Sequence, residues 1–342
     1  MSADIIIILI FCVMGLVAHG SRRQPWLAWV LRVIFAFSCV AEFFAAEFPS
    51  PDSTGPWTSA VTWSMTIASG AMLFLPCRKL LSYGLTVVNQ IIGGAIFIAL
   101  YKKRDVKAAF TADSIFVPTS IPHLNALWIY VTVLGCLLNS MNLSDFRVPA
   151  IPIPLPVPLD ALFSYNFLGL IVLSICGCGI FVTRKPREIL RRLGFVKPAG
   201  WQVGLALGMI VVTAAYDYLW SLYTHQSGGG IAAKLSTYNG GTFGASGALP
   251  AFIIAIATGI CAGIGEETLI RGALVPVFGA LPAGILHGAL HGQFQHAPIL
   301  ILQVAGWSTM MGVVRRYTNT TTTTITHVGW NFVMTFLFAF NP

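Results

Sequence analysis

One apolar stretch, from Ala251 to Pro276, carries three charged residues that a membrane helix does not ordinarily contain: Glu266, Glu267 and Arg271. The stretch is long enough to cross a bilayer, for which about 20 apolar residues are needed. A single carboxylate at the centre of a bilayer costs on the order of 2.5–3.5 kcal/mol on insertion scales. Two adjacent carboxylates therefore need partners or a water-filled cavity, and any fold of this chain has to provide them.

Candidate partners follow in two further apolar segments. His287 and His291 lie four residues apart, and so do His327 and Asn331. Residues at this spacing share one face of a helix, and the second glutamate and the arginine of the first stretch have the same spacing. Three helices can therefore each direct a polar pair toward a common centre.

The composition places this centre in a membrane. Of the 342 residues, 56% are hydrophobic and 9% are charged, whereas about 25% are charged in soluble domains. The net charge of +8 comes mostly from Lys and Arg in short loops, which is typical of positive-inside bias and does not indicate nucleic-acid binding. The seven cysteines are scattered and predict neither a disulfide framework nor a zinc finger. We expect a multi-pass integral membrane protein surrounded by the lipid bilayer.

The apolar runs predict an all-α, polytopic transmembrane bundle of about ten spans. Basic segments at 184–197 and 315–316 are expected on the cytoplasmic side, and the first is predicted to be an amphipathic helix in the interface. The predicted membrane segments are 4–20, 25–48, 57–75, 85–101, 124–140, 161–182, 200–223, 251–276, 281–293, 299–314 and 322–340.

The predicted span 85–101 conflicts with the positive-inside rule. A single crossing would place Arg78-Lys79 and the basic residues at 102–104 on opposite sides, although both are expected inside. Either Gly93-Gly94 marks a broken or re-entrant segment, or one basic cluster violates the rule.

Prolines at alternate positions between 148 and 158 predict a stiff connector. They divide the chain into N-terminal transmembrane helices, 1–150, and a C-terminal region, 151–342. The Gly-, Ser- and Thr-rich segment 224–247 is expected to be an external loop.

The polar pairs resemble the motifs of a known family. The segment 266–271, Glu-Glu-Thr-Leu-Ile-Arg, looks like the EExxxR motif of the CPBP family. This family comprises CAAX proteases and bacteriocin-processing enzymes, is also called Abi, and includes the Ras-converting type of CAAX prenyl endopeptidase. His291, in segment 287–291, fits the histidine of the family's FxxxH motif, and segment 327–331 fits HxxxN/B. The resemblance covers about residues 190–342 and implies a CPBP-like catalytic core in the C-terminal half, whereas residues 1–150 match no family.

The resemblance implies an intramembrane glutamic endopeptidase that hydrolyses a peptide bond of a membrane-associated peptide or protein. Carried over to this chain, Glu266 and His291 activate water, and His327 and Asn331 donate hydrogen bonds to the tetrahedral oxyanion. No cofactor is implied.

The supporting residues are Glu267 and Arg271, which are expected to hold their helix in register, and His287. His287 stands where the motif has Phe. It either adds a third imidazole to the site or packs there as an aromatic substitute. We expect a supporting or packing role rather than a catalytic one, so that Phe at this position leaves activity largely intact. Apolar residues around Phe252, Trp307 and Trp330 are expected to cover the cavity.

Two alternatives remain open. Glu266, His291 and His327 could hold zinc with one open position, although HExxH is absent and an asparagine is a poor zinc ligand; we expect no tightly bound metal. The chain could instead be a non-proteolytic scaffold or immunity factor. The expected location is the bacterial cytoplasmic membrane, and the oligomeric state stays undetermined.

Overall fold

The computed structural model describes residues 3–48, 56–97, 116–141, 162–227, 247–294 and 298–340. Within these ranges every regular element is a helix and no strand is formed, which confirms the all-α class. The helices are α1 (Ala3–Gly20), α2 (Trp26–Glu47), α3 (Pro56–Leu73), α4 (Leu75–Phe97), α5 (Ile121–Ser140), α6 (Leu162–Gly177), α7 (Pro186–Arg192), α8 (Gly200–Ser227), α9 (Ala248–Phe278), α10 (Ala280–Ala289), α11 (Pro298–Tyr317) and α12 (Thr320–Phe340).

Among the described residues, α2, α5, α8, α9 and α11 are long and apolar enough to cross a membrane. The number of candidate spans is therefore 5, or 6 if α3 and α4 form one bent span. α1 and α6 are apolar but shorter, and α12 begins with a run of threonines. The chain is an integral membrane protein, and the predicted total of about ten spans is not confirmed.

The break in the 57–101 region lies elsewhere than predicted. α3 and α4 are bent by 107° and meet at Phe74, whereas α4 runs without interruption through Gly93. Pro76, in the first turn of α4, lacks the N–H that would continue α3. Arg78 lies inside α4, not in a loop, and donates to a backbone carbonyl at 2.7 Å. The basic residues at 102–104 lie outside the described residues.

Two basic segments also differ from the prediction. The helix predicted for 184–197 is limited to the seven residues of α7, because Gly194 at φ +80° ends it. Its Ile189 and the adjacent Leu193 are buried. Arg315 and Arg316 lie in the last turn of α11 and not in a loop.

Small residues bring the helices of the C-terminal half into close contact. A Cβ atom added to Gly263 of α9 would lie 3.0 Å from the backbone nitrogen of Val328 in α12. A Cβ atom added to Gly288 of α10 would lie 2.5 Å from the carbonyl oxygen of Ile301 in α11. Such glycine contacts are typical of membrane helix pairs, and here they bring α12 to α9 and α11 to α10.

A π-helical segment, Thr268–Leu274, interrupts α9 directly after its two glutamates. Pro276 cannot donate the usual helical hydrogen bond to the carbonyl of Gly272. Arg192 of α7 donates to that carbonyl instead, at 3.2 Å. The wide turns include Arg271, and π-helical segments of this kind are frequent at functional sites.

The turn between α9 and α10 depends on Gly279, whose φ is +89°. Asn89 of α4 bridges this turn, donating to the carbonyl of Phe278 and accepting from the N–H of Ala280, both at 3.2 Å. A Cβ atom on Gly279 would collide with the Asn89 amide. α4 therefore helps to fix the direction in which α10 leaves α9.

The N-terminal helices share one apolar core with the C-terminal region. Phe278 of α9 contacts Tyr130 of α5 at a ring distance of 5.2 Å, and the Tyr130 hydroxyl donates to the carbonyl of Pro282. The predicted connector at 148–158 and most of the predicted loop at 224–247 lie outside the described residues. The division into 1–150 and 151–342 stays a prediction.

Candidate active site

Glu266 lies at the centre of a buried polar cluster built from α9, the end of α10, and α12. Its Oε2 atom lies 2.6 Å from Nε2 of His287 and 3.8 Å from Nε2 of His327. Ligand atoms of Glu266, His287 and His291 all lie within 4.8 Å of one another. The structure thus brings the predicted residues of three motifs together.

Both carboxylate oxygens of Glu267 accept hydrogen bonds from buried side chains. Its Oε1 atom accepts from Nη1 of Arg271 and from Nδ1 of His327, both at 3.0 Å. Its Oε2 atom accepts from the hydroxyl of Thr323 at 2.6 Å. The side chain is 0% exposed. These contacts connect α9 to α12 and leave Glu267 without access to a substrate.

Arg271 fixes the protonation of His287. Its Nη1 atom lies 3.4 Å from Nδ1 of His287, and a guanidinium can only donate. Nδ1 is therefore the acceptor, and the ring proton lies on Nε2, which donates to Glu266. The Arg271 guanidinium also stacks over Trp307 at 5.0 Å. His287 is 1% exposed and holds the glutamate in place.

The other two histidines expose Nε2 atoms toward the cluster. Nδ1 of His291 donates to the carbonyl of His287 at 2.9 Å, so its Nε2 atom carries a lone pair when the ring is neutral. Nδ1 of His327 donates to Glu267. His327 can donate from Nε2 only when both its nitrogens carry protons.

Glu266 differs from Glu267 in accessibility. The Glu266 side chain is 11% exposed and that of Glu267 is 0% exposed. Glu266 also has three imidazole neighbours, His287, His327 and His291, and makes no ion pair with a guanidinium of the kind that Glu267 makes. Of the two carboxylates, Glu266 is the one that a water molecule can approach.

His291 does not lie within the helix predicted around it. α10 ends at Ala289, and the N–H of His291 donates to the carbonyl of Gly288 in a tighter turn. A short 3₁₀ helix, Gly292–Phe294, follows. The rings of His287 and His291 are nevertheless 5.0 Å apart, because the tight turn keeps both side chains on the same side of the chain.

The structure places other predicted residues at different distances from the cluster. Asn331 is partly exposed one turn after His327, and no hydrogen bond of its side chain is formed with the described residues. Of the three predicted covering residues, Trp307 contacts His327 at 4.8 Å. Phe252 packs on Phe332, and Trp330 lies near Asp217.

Thr323 is a residue of the cluster to which the sequence interpretation assigned no role. It lies four residues before His327, so the two side chains share a face of α12, and both contact Glu267. The spacing was visible in the sequence, but Thr323 is one of five consecutive threonines. Its neighbours Thr320 and Thr321 bond instead to the backbone of Leu193 and Val196.

The cluster also contains a donor set that suits zinc. Two imidazoles and a carboxylate with an open position form a common catalytic zinc site, and Glu266, His287 and His291 are close enough to form one. The set differs from the predicted one, since His287 takes the place of His327. Nε2 of His287 would have to lose its proton, and the Arg271 cation at 3.4 Å opposes a second positive charge.

The fold and the cluster together define an integral membrane protein with a buried glutamate–histidine centre. The family model described as "Type II CAAX prenyl endopeptidase Rce1-like" matches residues 248–333. This segment of the chain is similar to that family, and it contains all of the motif residues. The suspected relationship is thereby confirmed, and it supports a CAAX-type intramembrane protease, a hydrolase. No curated protein and no solved structure matches the chain.

Proposed function

We propose that the chain is an intramembrane glutamic endopeptidase that cleaves a membrane-associated peptide or protein. The observation that carries the proposal is the position of Glu266, which is the accessible carboxylate of the pair and is held by His287 at 2.6 Å. The family match at residues 248–333 supports the same class of reaction.

In the proposed reaction, Glu266 takes a proton from a water molecule that also donates to Nε2 of His291. The resulting hydroxide adds to the carbonyl carbon of the peptide bond. The oxyanion accepts hydrogen bonds from His327, protonated on both nitrogens, and from the amide of Asn331. Glu266 then returns the proton to the departing amine as the carbon–nitrogen bond breaks. His287 orients Glu266, and Glu267 orients His327.

The test compares the full chain with Glu266→Gln in vesicles. The substrates are a C-terminally prenylated CAAX-type peptide, the same peptide without the prenyl group, and the membrane proteome of the host, in which new protein ends are identified. We expect Glu266→Gln and His291→Ala to abolish turnover. Asn331→Ala should lower it by about a hundredfold or more if its amide donates to the oxyanion.

Asp217→Asn is the matched control, because Asp217 is another carboxylate in an apolar helix and accepts from Gln303 at 2.8 Å. This control should keep its activity. Cleavage products that persist with the Glu266→Gln variant would refute the glutamate mechanism. If the wild type also gives no cleavage products, the scaffold alternative is favoured.

Zinc-assisted hydrolysis is the second candidate, and the 4.8 Å grouping of Glu266, His287 and His291 favours it. We expect no tightly bound metal, because a glutamate and a histidine can activate water without one. Elemental analysis of the purified chain is the measurement. Stoichiometric zinc in the wild type that is lost in His291→Ala would replace the metal-free mechanism.

We further propose that the protein lies in the bacterial cytoplasmic membrane, with the basic segment 184–197 on the cytoplasmic face. α7 carries Arg191 and Arg192 in its last turn, at the end of the bundle where α8 begins. The support for the membrane itself is the set of apolar helices.

A further inference from the structure

A cavity of about 260 Å³ lies between α1, α5 and α6, with α9 and α10 closing its remaining side. α1 contributes lining residues at helical spacing, from Ile7 through Phe11 and Gly15 to His19, and Arg22 follows in the turn after the helix. At 1.5 Å per residue, this face of α1 extends over about 18 Å. The cavity is therefore a long slot parallel to the helices and not a compact pocket.

The two ends of the slot differ in chemistry. At one end the lining contains three guanidinium groups, Arg22, Arg184 and Arg192, together with two histidines. Toward the other end the lining is aliphatic and aromatic and includes Ile8 and Val133. No carboxylate is among the described residues that line the slot.

Two of the three arginines are positioned by hydrogen bonds to backbone carbonyls, which carry no charge. Arg184 donates to the carbonyl of Cys178 at 2.6 Å, and Arg192 donates to the carbonyl of Gly272 at 3.2 Å. Glu188, the acidic neighbour of Arg184, accepts from the N–H of Lys185 in the first turn of α7. Burial lowers the pKa of Arg184 and repulsion from Arg192 lowers it further, while attraction to the Glu188 carboxylate raises it. Because no carboxylate among the described residues lines the slot, the three guanidinium groups make the lining at this end positively charged.

We propose that this slot binds a single membrane phospholipid of negative net charge. The phosphate oxygens accept from Arg22, Arg184 and Arg192, and one hydrocarbon chain lies along α1 toward Ile8. Basic pockets between membrane helices bind anionic head groups in this way. A narrow slot of this volume has no room for a protein helix about 10 Å wide, whereas a single hydrocarbon chain is much thinner.

The proposed lipid is distinct from the substrate and does not depend on the proposed catalytic function. Leu269 and Leu290 line the slot, and each lies close in sequence to a residue of the polar cluster, Glu266 and His291. The hydrocarbon chain of the lipid would therefore lie on the side of Leu269 and Leu290 that faces away from the polar cluster. The basic end of the slot coincides with the end of the bundle that carries the segment 184–197, where anionic lipid is attracted to Lys and Arg.

The experiment is lipid titration of the purified full chain in neutral detergent, followed by native mass spectrometry. The probes are phosphatidylglycerol, phosphatidylcholine with the same acyl chains, and inorganic phosphate alone. We expect one phosphatidylglycerol per chain, bound at least about fivefold more tightly than phosphatidylcholine. Equal dissociation constants for the two lipids would overturn the proposal, and so would displacement of the lipid by phosphate alone, which would indicate a site for a free anion.

Arg22→Gln tests the basic end, because this exposed side chain can change without disturbing the core. Each arginine near a membrane surface contributes on the order of 1 kcal/mol to binding of anionic lipid, so the dissociation constant for phosphatidylglycerol should rise about fivefold. Arg23→Gln, at the next residue and outside the lining, is the matched control and should have no effect. Equal values for the two variants would contradict the assigned head-group position.

Ala126→Phe tests the apolar part of the slot. Ala126 lines the slot from α5, and a phenyl ring there occupies the space of the hydrocarbon chain. The occupancy of phosphatidylglycerol should fall while the thermal unfolding temperature measured without lipid stays within a few degrees. Unchanged occupancy in a folded variant would place the lipid elsewhere.

Discussion

At residues 266 and 267, two identical carboxyl groups on consecutive positions of one helix have different surroundings. Successive residues of a helix point about 100° apart, so Glu267 faces α12 and Arg271 while Glu266 faces His287. The first glutamate keeps partial accessibility and the second has none. The same chemical group can therefore serve as a base at one position and as a structural ion-pair partner at the next.

Glu267→Gln should destabilise the protein more than Glu266→Gln does. The substitution leaves the Arg271 guanidinium, which is 0% exposed, without its anionic partner, and breaking a buried pair costs about 3–5 kcal/mol. Thermal unfolding in detergent measures the difference. A smaller loss of stability in Glu267→Gln than in Glu266→Gln would mean that the structural and catalytic assignments are interchanged.

His287→Phe should lower kcat by roughly tenfold to a hundredfold, because hydrogen bonds to charged groups contribute about 1.5–3 kcal/mol. Phe cannot make the 2.6 Å contact between Nε2 of His287 and Glu266. This expectation therefore differs from the one based on the sequence, which was that Phe leaves activity largely intact. His287→Gln, whose amide nitrogen can occupy the position of Nε2, should recover part of the loss. A change in KM alone, or no recovery with Gln, would argue against a positioning role.

At the scale of single helices, local irregularities set the directions of the polar groups. The π-helical segment of α9 lies just before Pro276 and contains Arg271, whose guanidinium reaches both Glu267 and His287. The positive φ of Gly279 turns the chain into α10. Without these two features α9 and α10 would still be apolar helices, but their charged side chains would face other neighbours.

Gly288→Ala should destabilise the pairing of α10 with α11. The added Cβ would lie 2.5 Å from the carbonyl oxygen of Ile301, a backbone atom that cannot move without separating the helices. We expect a lower unfolding temperature and lower activity, since His287 is adjacent. Gly208→Ala on α8, where nothing lies within 4 Å of the added atom, is the control and should be neutral or slightly stabilising. Equal unfolding temperatures for the two variants would contradict the close contact.

At the scale of the whole molecule, we predict that the basic segment 184–197 lies on the cytoplasmic side of the membrane. In a background without native cysteines, Leu190→Cys should react with a membrane-impermeant maleimide only from the cytoplasmic side. Leu190 is 53% exposed and precedes α8, which is long enough to cross the membrane once. Leu249→Cys, 70% exposed at the start of α9, should react only from outside. Reaction of Leu190→Cys only from outside would reverse the orientation.

The sequence alone determined the class of this protein and the residue types of its centre. Hydropathy and i,i+4 spacing are local properties, so they predicted an all-α membrane bundle and the polar pairs. The resemblance to the CPBP motifs suggested the family, and the family match at residues 248–333 supports it. The roles of the individual site residues stay proposals, supported by how the side chains meet. The 107° bend between α3 and α4 was missed because proline signals a break without giving its angle.

Only the tertiary structure decided which polar groups meet. Glu266 and His287 are 21 residues apart, and Glu267 and His327 are 60 apart, so no local pattern pairs them. Their contacts depend on how closely glycines let α12 approach α9, and on where α10 ends. His287 as the partner of Glu266, Thr323 as the partner of Glu267, and the basic slot beside α1 all arise from this packing, because each joins segments that the sequence places far apart.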